Sequence, residues 1–313
     1  MPTPRELTVR AHAKINLDLR VLGERADGYH EVRTVLQSLR LHDTLTVTVR
    51  PGPFVIECDD PTLPTGEQNL VWRAAALLHH LRIGGDGPPR GALVRLTKRV
   101  PAQAGLGGGS ADAAAALLAL THAWDLPCDL SSLARIGARL GADVPFFLGG
   151  GTALGSGRGD EISPLQEPPP TAVVLVTPPF GVSTPDAYRW LDEDGTRARS
   201  RRSRPRPLDG WPAWAVDLHN DLEPPVTRRH PAIARLVRAL TGLGAVHAAM
   251  SGSGSAVFGL FATRAGAVAA QATLARRGWN ALATQTLSRE AVARQRRRLD
   301  RPALAAARSR RID

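Results

Sequence analysis

The chain has 313 residues, 43% of them hydrophobic and 22% charged, which fits a soluble globular protein long enough for two domains. No apolar run reaches the roughly 18 residues of a membrane span and the N-terminus lacks a signal-peptide core, so a cytoplasmic protein with no membrane partner is expected. The two cysteines, Cys58 and Cys128, form no CxxC pair, which excludes a disulfide framework and a cysteine-rich zinc site.

The net charge of +11 would suggest a nucleic-acid partner if it covered the folded body. It is instead concentrated in two places. Residues 196–207 hold six arginines and no acid, and residues 289–313 hold nine arginines against Glu290, Asp300 and Asp313. These segments account for the whole excess and leave the rest near neutral. The first is poor in apolar residues and both are arginine-rich, so they read as a solvated loop and a frayed helical tail, and no specific nucleic-acid partner is expected.

In chain order, Leu7 to Leu22 and Thr44 to Arg50 read as strands, the second alternating Leu45, Val47 and Val49 with polar residues. Asn69 to Leu81 carries a helical apolar face through Leu70, Ala74, Leu77, Leu78 and Leu81. Leu93 to Lys98 reads as a strand running into a glycine-rich loop, and a helix follows to about Trp124. Ser131 is the expected N-cap of a helix through Leu140, ended by Gly141. Turns around a short strand fill 149–160, and Glu167-Pro-Pro-Pro170 marks the expected domain boundary. Beyond it come a strand at Ala172 to Thr177, a helix at Pro231 to Leu240, strands at Val246 to Met250 and Ala256 to Phe261, a helix near Arg264 to Arg276, and a strand near Asn280 to Leu287. The irregular mixture predicts an α+β fold, with domains at 1–165 and 166–288 and a basic tail at 289–313.

The most informative segment is Pro101-Ala-Gln-Ala-Gly-Leu-Gly-Gly-Gly-Ser-Ala-Asp112, where a glycine-rich loop opens an alanine-rich helix. Gly105, Gly107, Gly108 and Gly109 permit positive φ and a close approach of backbone N–H groups to phosphate, and Ser110 stands at the electropositive helix start. It is neither a Walker loop, since Ser110 and Ala111 replace Lys and Ser/Thr, nor a GxGxxG fingerprint, which needs glycine at 110. A flexible linker is the bland alternative, but linkers do not carry a long helix.

Lys14 and Asn16 fall on one face of a strand, since side chains two apart point the same way. Asp143 is expected just past a helix end, with Pro145 holding Val144 extended. Ser251-Gly-Ser-Gly-Ser255 supplies a second turn. Lys14 is one of only two lysines, with Lys98, in an arginine-rich chain, which singles it out as a point charge that a broad guanidinium would not replace. His79-His80 has no partner at metal spacing and is explained by packing. Asp112 is explained by the helix dipole.

In this order of motifs the chain resembles the GHMP small-molecule kinases and, within them, the kinases of 4-diphosphocytidyl-2-C-methylerythritol. The resemblance runs from the Lys14 strand through Arg25-Ala-Asp-Gly-Tyr-His30, the glycine loop, Asp143, Gly181-Val-Ser-Thr-Pro185 and Asn220-Asp-Leu-Glu223 to the Ser251 turn. It implies a two-domain fold, the N-terminal domain similar to the second domain of ribosomal protein S5 and the C-terminal one ferredoxin-like. It also implies ATP-dependent phosphorylation of the 2-hydroxyl of the cytidyl substrate in isoprenoid precursor synthesis, with Asp143 as base and Lys14 as the charge on the transferred phosphoryl group. ATP is expected along Pro101, Ala102, Gln103, Ala104, Gly105, Leu106, Gly107, Gly108, Gly109, Ser110 and Ala111, with Mg2+ at Ser110. Asn16 belongs to the substrate side. The cytosine is expected between Tyr29 and Tyr188, read by His30, with Thr184 on the ribose or diphosphate. Another kinase of the family, acting on homoserine, mevalonate or a sugar, is the nearest rival, since it would not need the Tyr29, His30, Thr184 and Tyr188 set. A silent relative binding nucleic acid through its arginines is the rival from another class.

Overall fold

Two sheets built from successive halves of the chain pack face to face in the computed structural model, which describes residues 6–85, 87–195 and 210–297. The first sheet has β1 (Glu6–Glu24), β2 (His30–Val49), β3 (Val55–Cys58), β4 (Ala92–Thr97), β5 (Thr152–Ser156) and β6 (Glu161–Pro164), in the order β3-β4-β2-β5-β6 with β1 on the far side of β2. The second has β7 (Ala172–Thr177), β8 (His247–Met250), β9 (Val257–Phe261) and β10 (Asn280–Gln285), in the order β10-β7-β9-β8. The change of sheet falls between Pro164 and Ala172. Ile15, Leu17 and Leu39 from the first sheet share a buried cluster with Leu175, Phe258 and Leu260 from the second. Single bridges join β1 to the segment before Glu223, Leu19 to Asn220, and β2 to the residue after β10, Leu39 to Thr286.

The first sheet is covered by α1 (Leu70–Arg82), α2 (Gly108–Ala123), α3 (Leu130–Ala138) and α4 (Val144–Gly149). The second carries α5 (Thr184–Glu193), α6 (Glu223–Arg229), α7 (Pro231–Gly242) and α8 (Arg264–Arg276). Helix α2 is buried on every side from Ala111 to Thr121, and its small alanines let strands and helices approach it closely. Helix α1 turns Val71, Ala74, Ala75 and Leu78 inward and leaves Leu81 exposed, so the expected face is rotated by about one residue.

Several local expectations are corrected. Strand β2 begins at His30, well before Thr44, because Val35 and Leu39 face the sheet interface and Leu36 the helices on the other side, through a stretch that also holds polar residues. Helix α3 is capped by Asp129, whose carboxylate accepts from Ser132 N at 2.7 Å, and ends at Ala138. Val144 is helical rather than extended, since Pro145 occupies the first turn of α4, where its missing N–H costs nothing.

The expected tail does not begin as a frayed end. Residues 289–297 form a helix, here α9, that returns to the first sheet. Arg289 donates to Thr152 O at 2.5 Å and Arg296 to Leu148 O at 2.8 Å, Gln295 meets His12 Nε2 at 2.7 Å, and Val292 packs beside Gly150. Arg296 satisfies a carbonyl at the end of α4, and Arg289 adds a bond to a β5 carbonyl that already accepts from Leu165 N, which a count of charge could not foresee. The arginine-rich loop 196–207 and residues 298–313 lie outside the described residues.

Candidate active site

A cleft of about 940 Å³ lies between the sheets, walled by β1, the glycine loop, the start of α2, the start of α5 and the turn after β8. Lys14 is only 3% exposed, and its backbone N–H is bound to Leu106 O at 3.0 Å. Bulges between His12 and Lys14 and between Asn16 and Asp18 bracket this part of β1, the kind of irregularity that re-aims side chains. Lys14 Nζ donates to Asn16 Oδ1 at 2.6 Å and stands 3.4 Å from Asp143 Oδ2. Asn16 in turn donates to Thr34 Oγ1 at 2.8 Å, and Thr34 to Asp18 O at 2.7 Å, so a hydrogen-bonded chain fixes the ammonium. Asp143, at the N-terminal boundary of α4, keeps a side chain 36% exposed to the cleft.

The glycine loop divides differently from expectation. Gly105 and Gly107 take φ of +73° and +72°, whereas Gly108 and Gly109 already belong to α2. A Cβ on Gly105 would stand 2.2 Å from Ser251 O, so only glycine lets the two loops meet. Ser251 Oγ donates to Gly105 O at 3.0 Å and accepts from Asn16 N at 3.2 Å. Asn220 donates to Met250 O and Gly252 O, at 2.9 and 2.7 Å, holding the second loop in place. Helices α1, α3, α5 and α8 start with a capping side chain, but α2 starts at Gly107 with none. Its first N–H groups thus open on the cleft without a side-chain acceptor, which suits an anion.

Of the expected nucleotide segment, Pro101 to Gly105 and Gly107 to Ser110 line the cleft. Leu106 and Ala111 are buried, each 1% exposed, and Ala111 N is already spent on Gly107 O at 2.8 Å, so neither side chain faces the cleft. Asn16, Thr184 and Tyr188 line it as well, and Thr184 Oγ1 meets Ser253 Oγ at 3.0 Å. Tyr188 is neutral, since burial, and then the Asp143 charge, push its phenol above the ordinary range.

Tyr29 and His30 stand outside the cleft lining. His30 stacks on Tyr188 with ring centroids 4.7 Å apart, and its Nε2 meets Asp192 Oδ1 at 2.9 Å. Tyr29 is 58% exposed, with the Arg158 guanidinium 5.3 Å from its ring centre. Here Tyr188 is paired with His30, and Tyr29 with Arg158.

One cluster in the cleft wall was not anticipated from the sequence. Lys98 Nζ lies 2.5 Å from Asp43 Oδ2 and 2.6 Å from Asp112 Oδ2. Asp112 is a buried partner of Lys98, not a solvated complement to the helix dipole, and its Oδ1 has no hydrogen-bond partner. Burial, with the Asp43 charge adding to it and Lys98 opposing, raises its pKa to about 7. Burial disfavours the Lys98 charge, but Asp112 and Asp43 together hold its pKa above the ordinary value. The scarcity of lysine was the one sequence signal pointing to Lys98.

The family model of the GHMP kinases N terminal domain matches residues 69–151, and that of the GHMP kinases C terminal matches residues 211–280. A 4-diphosphocytidyl-2-C-methyl-D-erythritol kinase of Pelotomaculum thermopropionicum is 45% identical, covering 82% of this chain and 89% of its own length. The Geobacter sulfurreducens enzyme of the same name is 38% identical, over 90% and 100%. A crystal structure of 4-(cytidine 5'-diphospho)-2C-methyl-D-erythritol kinase superposes with a TM-score of 0.71 at 35% identity, covering 90% of this chain and 99% of that one. The mixed α+β architecture with its uncapped helix start at the cleft is thus the two-domain GHMP kinase fold, and the chain belongs to the 4-diphosphocytidyl-2-C-methyl-D-erythritol kinases of the GHMP family.

Proposed function

We propose that this protein transfers the γ-phosphoryl group of ATP to the 2-hydroxyl of 4-diphosphocytidyl-2-C-methylerythritol, in the methylerythritol phosphate route to isoprenoid precursors. The observation that carries this reading is the meeting of Lys14 and Asp143 in a cleft that holds an uncapped helix start on one side and Thr184 and Tyr188 on the other. Phosphoryl transfer asks for positioning, a proton acceptor and positive charge on the phosphate oxygens. In this reading Asp143 takes the proton of the attacking hydroxyl, and Lys14 offsets charge on the transferring group. The first N–H groups of α2 hold the donor phosphates. Tyr188 offers the base a face, with His30 behind it as support. Since the donor is the intracellular nucleotide ATP, we place the reaction in the cytoplasm.

Mg2+ fits the residues present. Ser110 lines the cleft near Gly141, two positions before Asp143, and offers a hard hydroxyl oxygen. Among the described residues no group of three His, Cys, Asp or Glu could hold a metal, which suits an ion that keeps water and phosphate as most of its shell. We therefore assign it to Ser110, where it would neutralise charge on the phosphate oxygens.

The test is turnover of the cytidyl substrate, free methylerythritol phosphate, homoserine and mevalonate, offered side by side with ATP. Preference for the cytidyl compound is expected. Preference for any of the other three would overturn the assigned acceptor.

A further inference from the structure

Among the described residues three cations line the cleft, Lys14, Lys98 and Arg158. Lys14 is engaged by Asn16 and Asp143 at the reacting centre. Lys98 is enclosed by two carboxylates, so that part of the wall has no positive charge to spare. Arg158 is placed differently. It sits in the turn between β5 and β6 with a side chain 36% exposed, and a single guanidinium nitrogen meets Asp160 Oδ2 at 2.7 Å. The same group lies 5.3 Å from the centre of the Tyr29 ring. A guanidinium held over an aromatic ring and anchored at one nitrogen is pre-oriented, and its remaining N–H donors can grip a phosphate through two parallel bonds.

Both molecules of the proposed reaction carry a polyphosphate, and the start of α2 can serve only one of them. The other needs cationic contact away from the glycine loop, on the side of Tyr29 and Tyr188. We propose that Arg158 binds the diphosphate of the acceptor substrate and so selects a nucleoside-diphosphate-linked alcohol over a free one. This rests on the proposed function. Asp160 and Tyr29 act as positioning residues that aim the guanidinium.

The test is steady-state kinetics on Arg158→Ala and Arg158→Lys, varying the cytidyl substrate and ATP separately, with cytidine 5'-diphosphate and cytidine as inhibitors against the cytidyl substrate. Arg158→Ala should raise KM for the cytidyl substrate about tenfold or more, and KM for ATP by less than about twofold, as loss of a charge-assisted phosphate contact predicts. Arg158→Lys should recover part of the loss. The unaltered enzyme should be inhibited more strongly by the diphosphate than by cytidine, and Arg158→Ala should erase that difference, whereas damage to the fold would weaken both alike. An unchanged KM in Arg158→Ala, or equal weakening of both inhibitors, overturns the proposal. If the unaltered enzyme turns over no cytidyl substrate, the proposed acceptor falls and this assignment with it. Turnover that is indifferent to Arg158 overturns this assignment alone.

Discussion

A Cβ placed on Gly107 would stand 2.5 Å from Phe147 Cζ and 3.2 Å from Lys14 Cε, so the aromatic ring of α4 abuts the turn that opens α2. The glycine-loop backbone is thereby held against the element that begins next to Asp143. Gly107→Val adds a branched side chain at φ +72°, where such residues are strained even in open space. Calorimetric ATP titration should show affinity weakened by about tenfold or more, given this strain and collision together. Normal affinity in the folded variant would disprove the loop's role.

Lys14→Met and Asp143→Asn keep most of the side-chain volume while removing the charges. Each should lower kcat/KM by roughly 100-fold or more, the scale of a positioned base or charge at a reacting centre. Thermal melting should stay close to the parent, since Asp143 is partly exposed and Asn16 keeps its bond to Thr34. A rate near the parent's in either variant would remove the assigned mechanism.

Tyr188 lines the cleft and Tyr29 does not, which ranks two substitutions. Tyr188→Ala should lower the specificity constant for the cytidyl substrate by about 10- to 100-fold, the range expected for a stacking contact of 1 to 3 kcal/mol. Tyr29→Ala acts through Arg158 and should cost less. The ATP constants should hold in both. A larger effect at Tyr29 would mean that the ring enters the cleft on substrate binding.

Stability should respond to pH through buried groups of opposite sign. Burial lowers His12 and His247 from 6.5 to about 4, so the unfolded chain binds their protons first and their contribution is lost as pH falls from 6.5 to 4. Asp112 moves the other way, from 3.8 to about 7, so its folded form retains a proton and its contribution is lost as pH rises through 7. Calorimetry from pH 5 to 8 should find Asp112→Asn gaining melting temperature relative to the parent as pH rises. His247→Leu should lose less than the parent between pH 7 and 5. Parallel curves for parent and variants would show that these groups do not govern the profile.

What the sequence made legible was local and periodic. Ala172–Thr177 and Arg264–Arg276 form the expected strand and helix, since each carries its own hydrophobic pattern and, for the helix, a Thr263 cap. Lys14 and Asn16 share a side because alternation survives the bulges around them. What escaped depends on contacts distant along the chain. Asp112 finds Lys98 across a buried corner, His30 finds Tyr188 from the other half, and the arginines of α9 find carbonyl groups of α4 and β5. Composition marked those arginines as solvated because it counts charges and cannot see acceptors that the fold brings near.

The bond from His12 to Gln295 joins positions 283 apart, and its ends lie in the first strand and the last described helix. On the ribosome β1 and α4 emerge long before α9, so His12 Nε2 and the Leu148 carbonyl must wait for partners that are still being translated. The first sheet and its helices therefore gain these rear contacts only after the second sheet has been translated. Lys14 sits two residues beyond His12 and Asp143 at the head of α4, so both neighbour positions that are buttressed from the rear only once α9 has been synthesised.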